Sequence, residues 1–213
     1  MRPVPRLLLV TDRTQVPRGR RLTDVVAECI AAGASAVFLR ERDLDPAAYD
    51  ALADTIRTHL DRCNGVLIAR DSARAARGHG VHLRMSDPQP RRRPSLLGRS
   101  VHDHAQLASA RVTGCDYVTF SPVHSSASKP GYGPPLGAAG LTRARAAVPG
   151  APPILALGGV EARHVEDVLT AGAHGVAVMG SVMRARDPAA VVDELLTAVR
   201  SHVPRPSPQE VAR

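Results

Sequence analysis

Chemistry-bearing side chains recur in this chain at one kind of place, directly after a short apolar run. Leu7–Val10 leads into Thr11 and Asp12; the run ending at Leu39 leads into Arg40, Glu41, Arg42 and Asp43; the run ending at Ala69 leads into Arg70 and Asp71. Later runs deliver Asp87, then Ser100 and His102, then a stretch from Ser121 to Gly133 that holds His124, Ser126, Ser128 and Lys129. The last two end in Gly158–Gly159 and Gly180–Ser181. Carboxylate oxygens such as those of Asp71 and Asp87 suit Mg2+, which binds through one or two carboxylates plus phosphate oxygens. Arg40 and Lys129 can neutralise phosphate, and the glycine pairs can present backbone N–H groups to an anion. Asp71, before Ser72-Ala-Arg, reads equally as a helix N-cap. His82 reads as a barrel-lining histidine.

Lys129 is the one lysine among 28 basic residues. A compact ammonium meets a single oxygen as a point charge in a way that a planar guanidinium does not. Its neighbours Ser126, Ser128 and residues 130–133 (PGYG) complete an expected anion clasp.

Four segments end a helical pattern at glycine (Gly33, Gly78, Gly114, Gly172) and pass straight into a short β-favouring run. Glycine can take the left-handed conformation that closes a helix, and the runs fit buried parallel strands. Strands are expected at 7–10, 34–39, 65–69, 79–83, 97–101, 115–120, 153–157 and 173–178. Helices are expected near 22–32, 46–62, 71–77, 103–112, 137–148, 161–171 and 188–200, with Asp45–Pro46 and Asp187–Pro188 as starts. Residues 84–96, rich in Pro and Arg, show no helical pattern. Strict alternation leaves a closed eightfold barrel or an open doubly wound sheet. The open sheet normally carries a glycine-rich loop after its first strand, whereas this chain has its glycine turns after the seventh and eighth. The expected fold is therefore a single (β/α)8 TIM barrel over residues 1–202, with 203–213 as a flexible tail.

The 213 residues carry a net charge of +8 and 44% hydrophobic side chains, enough for a substantial core. With three Tyr, two Phe and no Trp, the chain cannot supply the stacking surfaces of a specific nucleic-acid binder. No apolar run is long enough for a membrane span, and the N-terminal run is too short for an export signal. Three cysteines without metal-ligand spacing fit a reducing cytoplasm. Helix faces bearing Ala and Val leave room for a homodimer.

The motifs taken in order resemble the thiamine phosphate synthase / thiazole tautomerase superfamily over about residues 6–200. Residues 7–12 (LLLVTD) resemble its L-x-L-I-T-D strand, 37–43 (VFLRERD) its V-Q-L-R-E-K motif, and 69–71 (ARD) its I-N-D. Residues 80–83 (GVHL) with Asp87 match G-V-H-L-G-Q-x-D, and 121–129 (SPVHSSASK) match G-P-I-F-x-T-x-T-K. Residues 157–160 (LGGV) and 175–182 (GVAVMGSV) complete the series. The resemblance implies an enzyme that ionises a hydroxymethylpyrimidine diphosphate with Mg2+ and joins it to a thiazole phosphate, giving thiamine phosphate and diphosphate. It implies Mg2+ on Asp71 and Asp87, and the diphosphate on Arg40 and Lys129, with Arg42 and Arg70 nearby. It places Ser100 on the pyrimidine side, and Ser126, Ser128, Gly158, Gly159, Gly180 and Ser181 on the thiazole phosphate. The superfamily also implies two alternatives: a tautomerase acting on a thiazole carboxylate phosphate, with His124 as proton shuttle, or a non-catalytic phosphate-ligand binding barrel.

The chain departs from the motif at Phe38 (for Gln), Arg42 (for Lys), Arg70 (for Asn), Arg84–Met85 (for Gly-Gln) and Gly180 (for Ser). The lost Gln and Asn remove polar contacts to the pyrimidine side, and Arg70 and Arg84 become competitors with Mg2+ for Asp71.

Overall fold

The computed structural model describes residues 2–126 and 134–202. Ser128 and Lys129, and the expected tail from 203, lie outside the described residues.

Eight parallel strands close into one barrel in chain order: β1 Leu7–Val10, β2 Ala36–Leu39, β3 Val66–Ala69, β4 Gly80–Arg84, β5 Leu97–Val101, β6 Tyr117–Phe120, β7 Ile154–Leu157 and β8 Gly175–Val178. Closure is by β8 on β1, with Leu8 opposite Ala177. The helices are α1 Leu22–Ala31, α2 Pro46–Asp61, α3 His104–Val112, α4 Gly137–Ala147, α5 Val165–Thr170, α6 Gly180–Met183 and α7 Pro188–Ser201.

Residues alternate between two cores along each strand, because successive side chains leave opposite faces. Leu8, Val10, Ala36, Phe38, Val66, Ile68, Tyr117, Leu155 and Ala177 fill the barrel interior. Leu7, Leu9, Val37, Leu39, Leu67, Val118 and Val176 face the helices. A parallel strand is thus covered on both sides, which is why the sequence shows unbroken apolar runs.

The capping aspartates act as read. Asp45 accepts from Ala48 N–H at 2.9 Å, Asp187 from Ala190 N–H at 2.9 Å, and each is followed by proline. Gly33, Gly114 and Gly172 take positive φ at helix ends. Gly78 differs: it is extended at φ −123°. It follows a 3-10 segment, Ser72–Arg77, and a Cβ there would sit 2.9 Å from the Leu67 carbonyl. Close backbone approach, not handedness, demands glycine at that point. That 3-10 segment replaces the helix expected at 71–77, and the connection from β4 to β5 carries no helix. The third and fourth strand ends are therefore bridged by short local structure and held by side chains.

Candidate active site

The C-terminal ends of the strands surround a cavity of about 680 Å³. Its floor comes from inward positions. Phe38 packs on His82 with ring centroids 4.8 Å apart. His82 shares one hydrogen bond with Tyr117 Oη through Nδ1 at 3.0 Å, and others through Nε2 with Ser100 Oγ at 2.9 Å and Thr119 Oγ1 at 3.3 Å. Gly98 makes this pair of rings possible, since a Cβ there would fall 2.2 Å from Tyr117 Cζ and 2.5 Å from His82 Nδ1. Burial pushes the His82 imidazole down to about 3, with the charges of Arg42 and Arg99 adding to the effect. The ring is neutral at any physiological pH and orients the Ser100 hydroxyl that faces the cavity.

One wall is cationic. Arg40 and Arg42 leave β2 on the same face, two residues apart, while Glu41 between them turns the other way. Glu41 is buried and accepts from Arg13 N–H at 3.1 Å; Arg13 continues to Asp43 at 2.7 Å. Thr11 Oγ1 accepts from Arg40 N–H at 3.1 Å, and Asp12 caps the 3-10 turn at residues 13–15. Much of the T-D and R-E-x-D sequence signal thus builds the wall that presents the two arginines. Arg40 contacts Asp12 Oδ2 at 3.9 Å, an oxygen that Gln15 Nε2 already engages at 2.7 Å. Arg42, exposed at the rim, makes no hydrogen bond or ion pair among the described residues. Desolvation, then the charges of Arg40, Arg84 and Arg70, hold its guanidinium below the usual range, with Asp87 opposing.

Asp71 is engaged by its own neighbourhood. It caps the 3-10 segment through Arg74 N–H at 3.0 Å, accepts from Arg74 Nη1 at 2.9 Å, and meets Arg70 Nε at 3.3 Å as an ion pair without hydrogen-bond alignment. Arg70 and Arg74 both lie over the ring of buried Tyr49, at 5.1 and 5.0 Å. Arg70 Nη1 also donates to the Glu41 carbonyl at 2.6 Å. Arg70 thus competes for Asp71 as expected, joined by Arg74; Arg84 does not. Asp87 accepts from Arg84 N–H at 2.8 Å and closes the turn after β4. Among the described residues no three His, Cys, Asp or Glu side chains cluster as a metal site. Both aspartates line the cavity, but the expected pairing of the two around Mg2+ finds Asp71 neutralised by two guanidiniums.

The opposite wall is backbone. Gly158 and Gly159 have φ of +98° and +61°, and the segment after β6 lies directly on them. A Cβ on Gly159 would meet the Ser125 carbonyl at 2.2 Å. Val123 N–H donates to the Leu157 carbonyl and His124 N–H to the Gly158 carbonyl, each at 2.9 Å, which laces this segment to the end of β7. Ser125, Ser126, Gly158, Gly159, Gly180 and Ser181 all line the cavity. The Gly180 and Ser181 N–H groups belong to the first turn of α6, where helical N–H groups have no intrahelical partner. His124 goes elsewhere. Its ring stacks on His164 at 4.1 Å, and it is not among the cavity-lining residues. Burial, then His164, lowers its pKa. The segment bends at Val123–His124, so Pro122, Ser125 and Ser126 line the cavity while His124 turns to His164.

Three site residues were not foreseen. Arg184 lines the cavity and donates to Gln15 Oε1. Met179 lines it beside Arg40. Arg99, almost fully buried on the outer face of β5, donates to the carbonyls of Arg84 at 2.6 Å and Asp87 at 3.0 Å and so fixes the turn that carries both residues. An arginine inside an apolar strand was the available signal.

A family model for thiamine monophosphate synthase matches residues 7–182. The chain belongs to that family. It is 37% identical over 198 residues to the thiamine-phosphate synthase of Methanoculleus marisnigri, covering 89% of this chain and 92% of the relative. It is 35% identical over 191 residues to a putative thiamine-phosphate synthase of Geobacter sulfurreducens, covering 85% and 88%. Among solved structures, a thiamine phosphate pyrophosphorylase from Pyrococcus furiosus superposes with a TM-score of 0.78 at 23% identity, over 92% of this chain and 95% of that one. At that identity the superposition shows the shared barrel, while the family model and the relatives carry the membership. No helix among the described residues is long and apolar enough to cross a membrane.

Proposed function

We propose that this chain is a thiamine phosphate synthase, joining a hydroxymethylpyrimidine diphosphate to a thiazole phosphate. One observation carries the reading: the cavity is lined by guanidiniums after β2–β4 and by backbone N–H groups after β7 and β8, with Arg40 reaching Met179 between the two sets. Arg40, Arg42, Arg70 and Arg84 line the side of β2–β4, and Gly158–Gly159 with Gly180–Ser181 line the side of β7 and β8. Between them lies a floor of Phe38, His82 and Ser100, in a cavity of about 680 Å³.

In this reading the pyrimidine methylene C–O bond breaks and its electron pair leaves with the diphosphate. The thiazole nitrogen then forms the new C–N bond to the methylene carbon. Charge grows on the diphosphate oxygens as the bond breaks, so cations fixed beforehand on that side lower the barrier. Arg40 and Arg42 are held in place by Thr11 and the Glu41–Arg13 strap. Lys129 and Ser128, with Ser126, are the residues that the family resemblance assigns to the phosphates. Neutral His82 keeps Ser100 oriented toward the pyrimidine, and Phe38 offers a ring face where the family motif has an amide. The glycine wall takes the thiazole phosphate.

The family resemblance implies Mg2+ on Asp71 and Asp87. The donor set does not fit an ion shared by both, because Asp71 serves as N-cap and as partner of Arg70 and Arg74. The tautomerase alternative rests on His124, which lies against His164. We place the reaction in the cytoplasm, a setting supported by three unpaired cysteines.

The test is direct. Purified protein incubated with both substrates and Mg2+ forms thiamine phosphate and diphosphate. No thiamine phosphate at enzyme concentrations equal to substrate overturns the reading, and binding of both substrates without product favours the phosphate-ligand binding alternative.

A further inference from the structure

The cationic wall holds more positive charge than its carboxylates can balance, and the imbalance has a specific geometry. Of its two acids, Asp71 already meets two guanidiniums and one backbone N–H. Asp87 accepts the N–H that closes its own turn. Arg70 is tied to Asp71 and to the Glu41 carbonyl. Arg42 and the Arg84 side chain make no hydrogen bond or ion pair among the described residues, and both line the cavity beside Arg40. The acid nearest Arg40 is 3.9 Å away and shared with Gln15. Three guanidiniums therefore crowd one wall, repelling one another, and the one carboxylate contact among them is the long pair of Arg40 with Asp12. Such a group is unfavourable in the empty protein and becomes favourable when a polyanion arrives.

Three cations of this wall stand at positions where the family motif has other residues, Arg42 in place of a lysine. Arg84 replaces a glycine and Arg70 an asparagine, and Arg70 is what engages Asp71. The same substitutions that occupy the carboxylate add guanidinium to the anion site. A guanidinium fork meets two phosphate oxygens at once and retains its charge at any physiological pH. Recruiting Mg2+ to Asp71 would require that carboxylate to release two arginines and a helix cap.

We propose that this chain holds the diphosphate end of its substrate through guanidinium groups, Arg42 and Arg84 with Arg40, and not through a divalent cation bridged to Asp71 and Asp87. The inference rests on the synthase reading for the identity of the anion, and it concerns binding, so it can be tested apart from turnover.

The probe is inorganic diphosphate, titrated calorimetrically into the purified protein in EDTA and again in Mg2+. Binding in EDTA at an affinity no weaker than in Mg2+ is expected. In EDTA, Arg42→Gln and Arg84→Gln each weaken it at least about tenfold, the loss of one charge-assisted contact. Asp87→Asn, which keeps the acceptor for Arg84 N–H, binds diphosphate as tightly as the parent or more so. Thermal melts on the same samples confirm that each variant is folded. Binding seen only with Mg2+, binding lost in Asp87→Asn, or full affinity in both arginine variants overturns the proposal; so does no binding in either buffer. The outcomes separate from those of the synthase reading. Chelator-resistant diphosphate binding without thiamine phosphate formation sinks the synthase reading alone, and turnover with strictly Mg2+-dependent diphosphate binding sinks this inference alone.

Discussion

Replacing Arg99 by methionine tests whether a buried outer-face residue sets the geometry of the cavity rim. Arg99 is 2% exposed, sits on β5 and reaches across to the turn after β4. Its Nη1 donates at 2.6 Å to the Arg84 carbonyl and at 3.0 Å to that of Asp87, with the Met85 carbonyl at 3.5 Å. Two charge-assisted bonds at about 1.5 kcal/mol each give about 3 kcal/mol. The turn is partly exposed, so water recovers part of this when the guanidinium goes, leaving about 2 kcal/mol. The opposing effect is desolvation, since Arg99 has no carboxylate partner among the described residues and a buried unpaired charge is costly. The three carbonyls supply the compensation, and we expect them to dominate. For a chain of this size, about 2 kcal/mol lowers the melting temperature by roughly 4–8 °C. The loosened turn carries Arg84, so diphosphate affinity falls with it, several-fold. Circular dichroism melts and diphosphate titration on Arg99→Met measure both. A variant that melts at or above the parent, with unchanged affinity, shows that Arg99 does not set the turn.

Gly159→Ala places a Cβ 2.2 Å from the Ser125 carbonyl at a φ of +61°. It costs at least about 2 kcal/mol and weakens inorganic phosphate binding; a parent-like melt combined with parent-like phosphate affinity shows the glycine wall has slack. His82 gives a pH signature. Its folded pKa of about 3 lies below its unfolded value of 6.5, so protonation opposes folding. Its contribution is intact above pH 6.5 and is lost as pH falls toward 3, by about 1.4 kcal/mol per pH unit. Urea unfolding from pH 7 to 5 shows this slope in the parent and a shallower one in His82→Gln; parallel slopes refute it.

The barrel was legible because its evidence is repetitive. Eight apolar runs, glycine stops and Asp-Pro helix starts each reflect local physics that tertiary structure had no reason to override. The cavity-facing set from strand ends was legible for the same reason: Arg40, Arg42, Asp71, Asp87, Ser100, Gly158 and Gly180 all line the cavity. What could not be read was the pairing. Asp71 as N-cap and as metal ligand look identical in sequence, and only the positions of Arg70 and Arg74 over Tyr49 decide between them. His124 was misplaced because the chain bends at Val123–His124, which breaks the extended alternation with Pro122 that the sequence suggested. Arg99 escaped notice because a strand-centre arginine on the outer face has no periodic signature; its role depends on a loop from another strand.

If the two sets of anion-binding groups serve one joining reaction, the two products must appear together. Diphosphate and thiamine phosphate are quantified together over time in the parent and in Arg42→Gln. One diphosphate per thiamine phosphate is expected in both proteins, with both rates reduced by the same factor in the variant. Diphosphate released without thiamine phosphate, or neither product formed by the parent, contradicts the joining reaction.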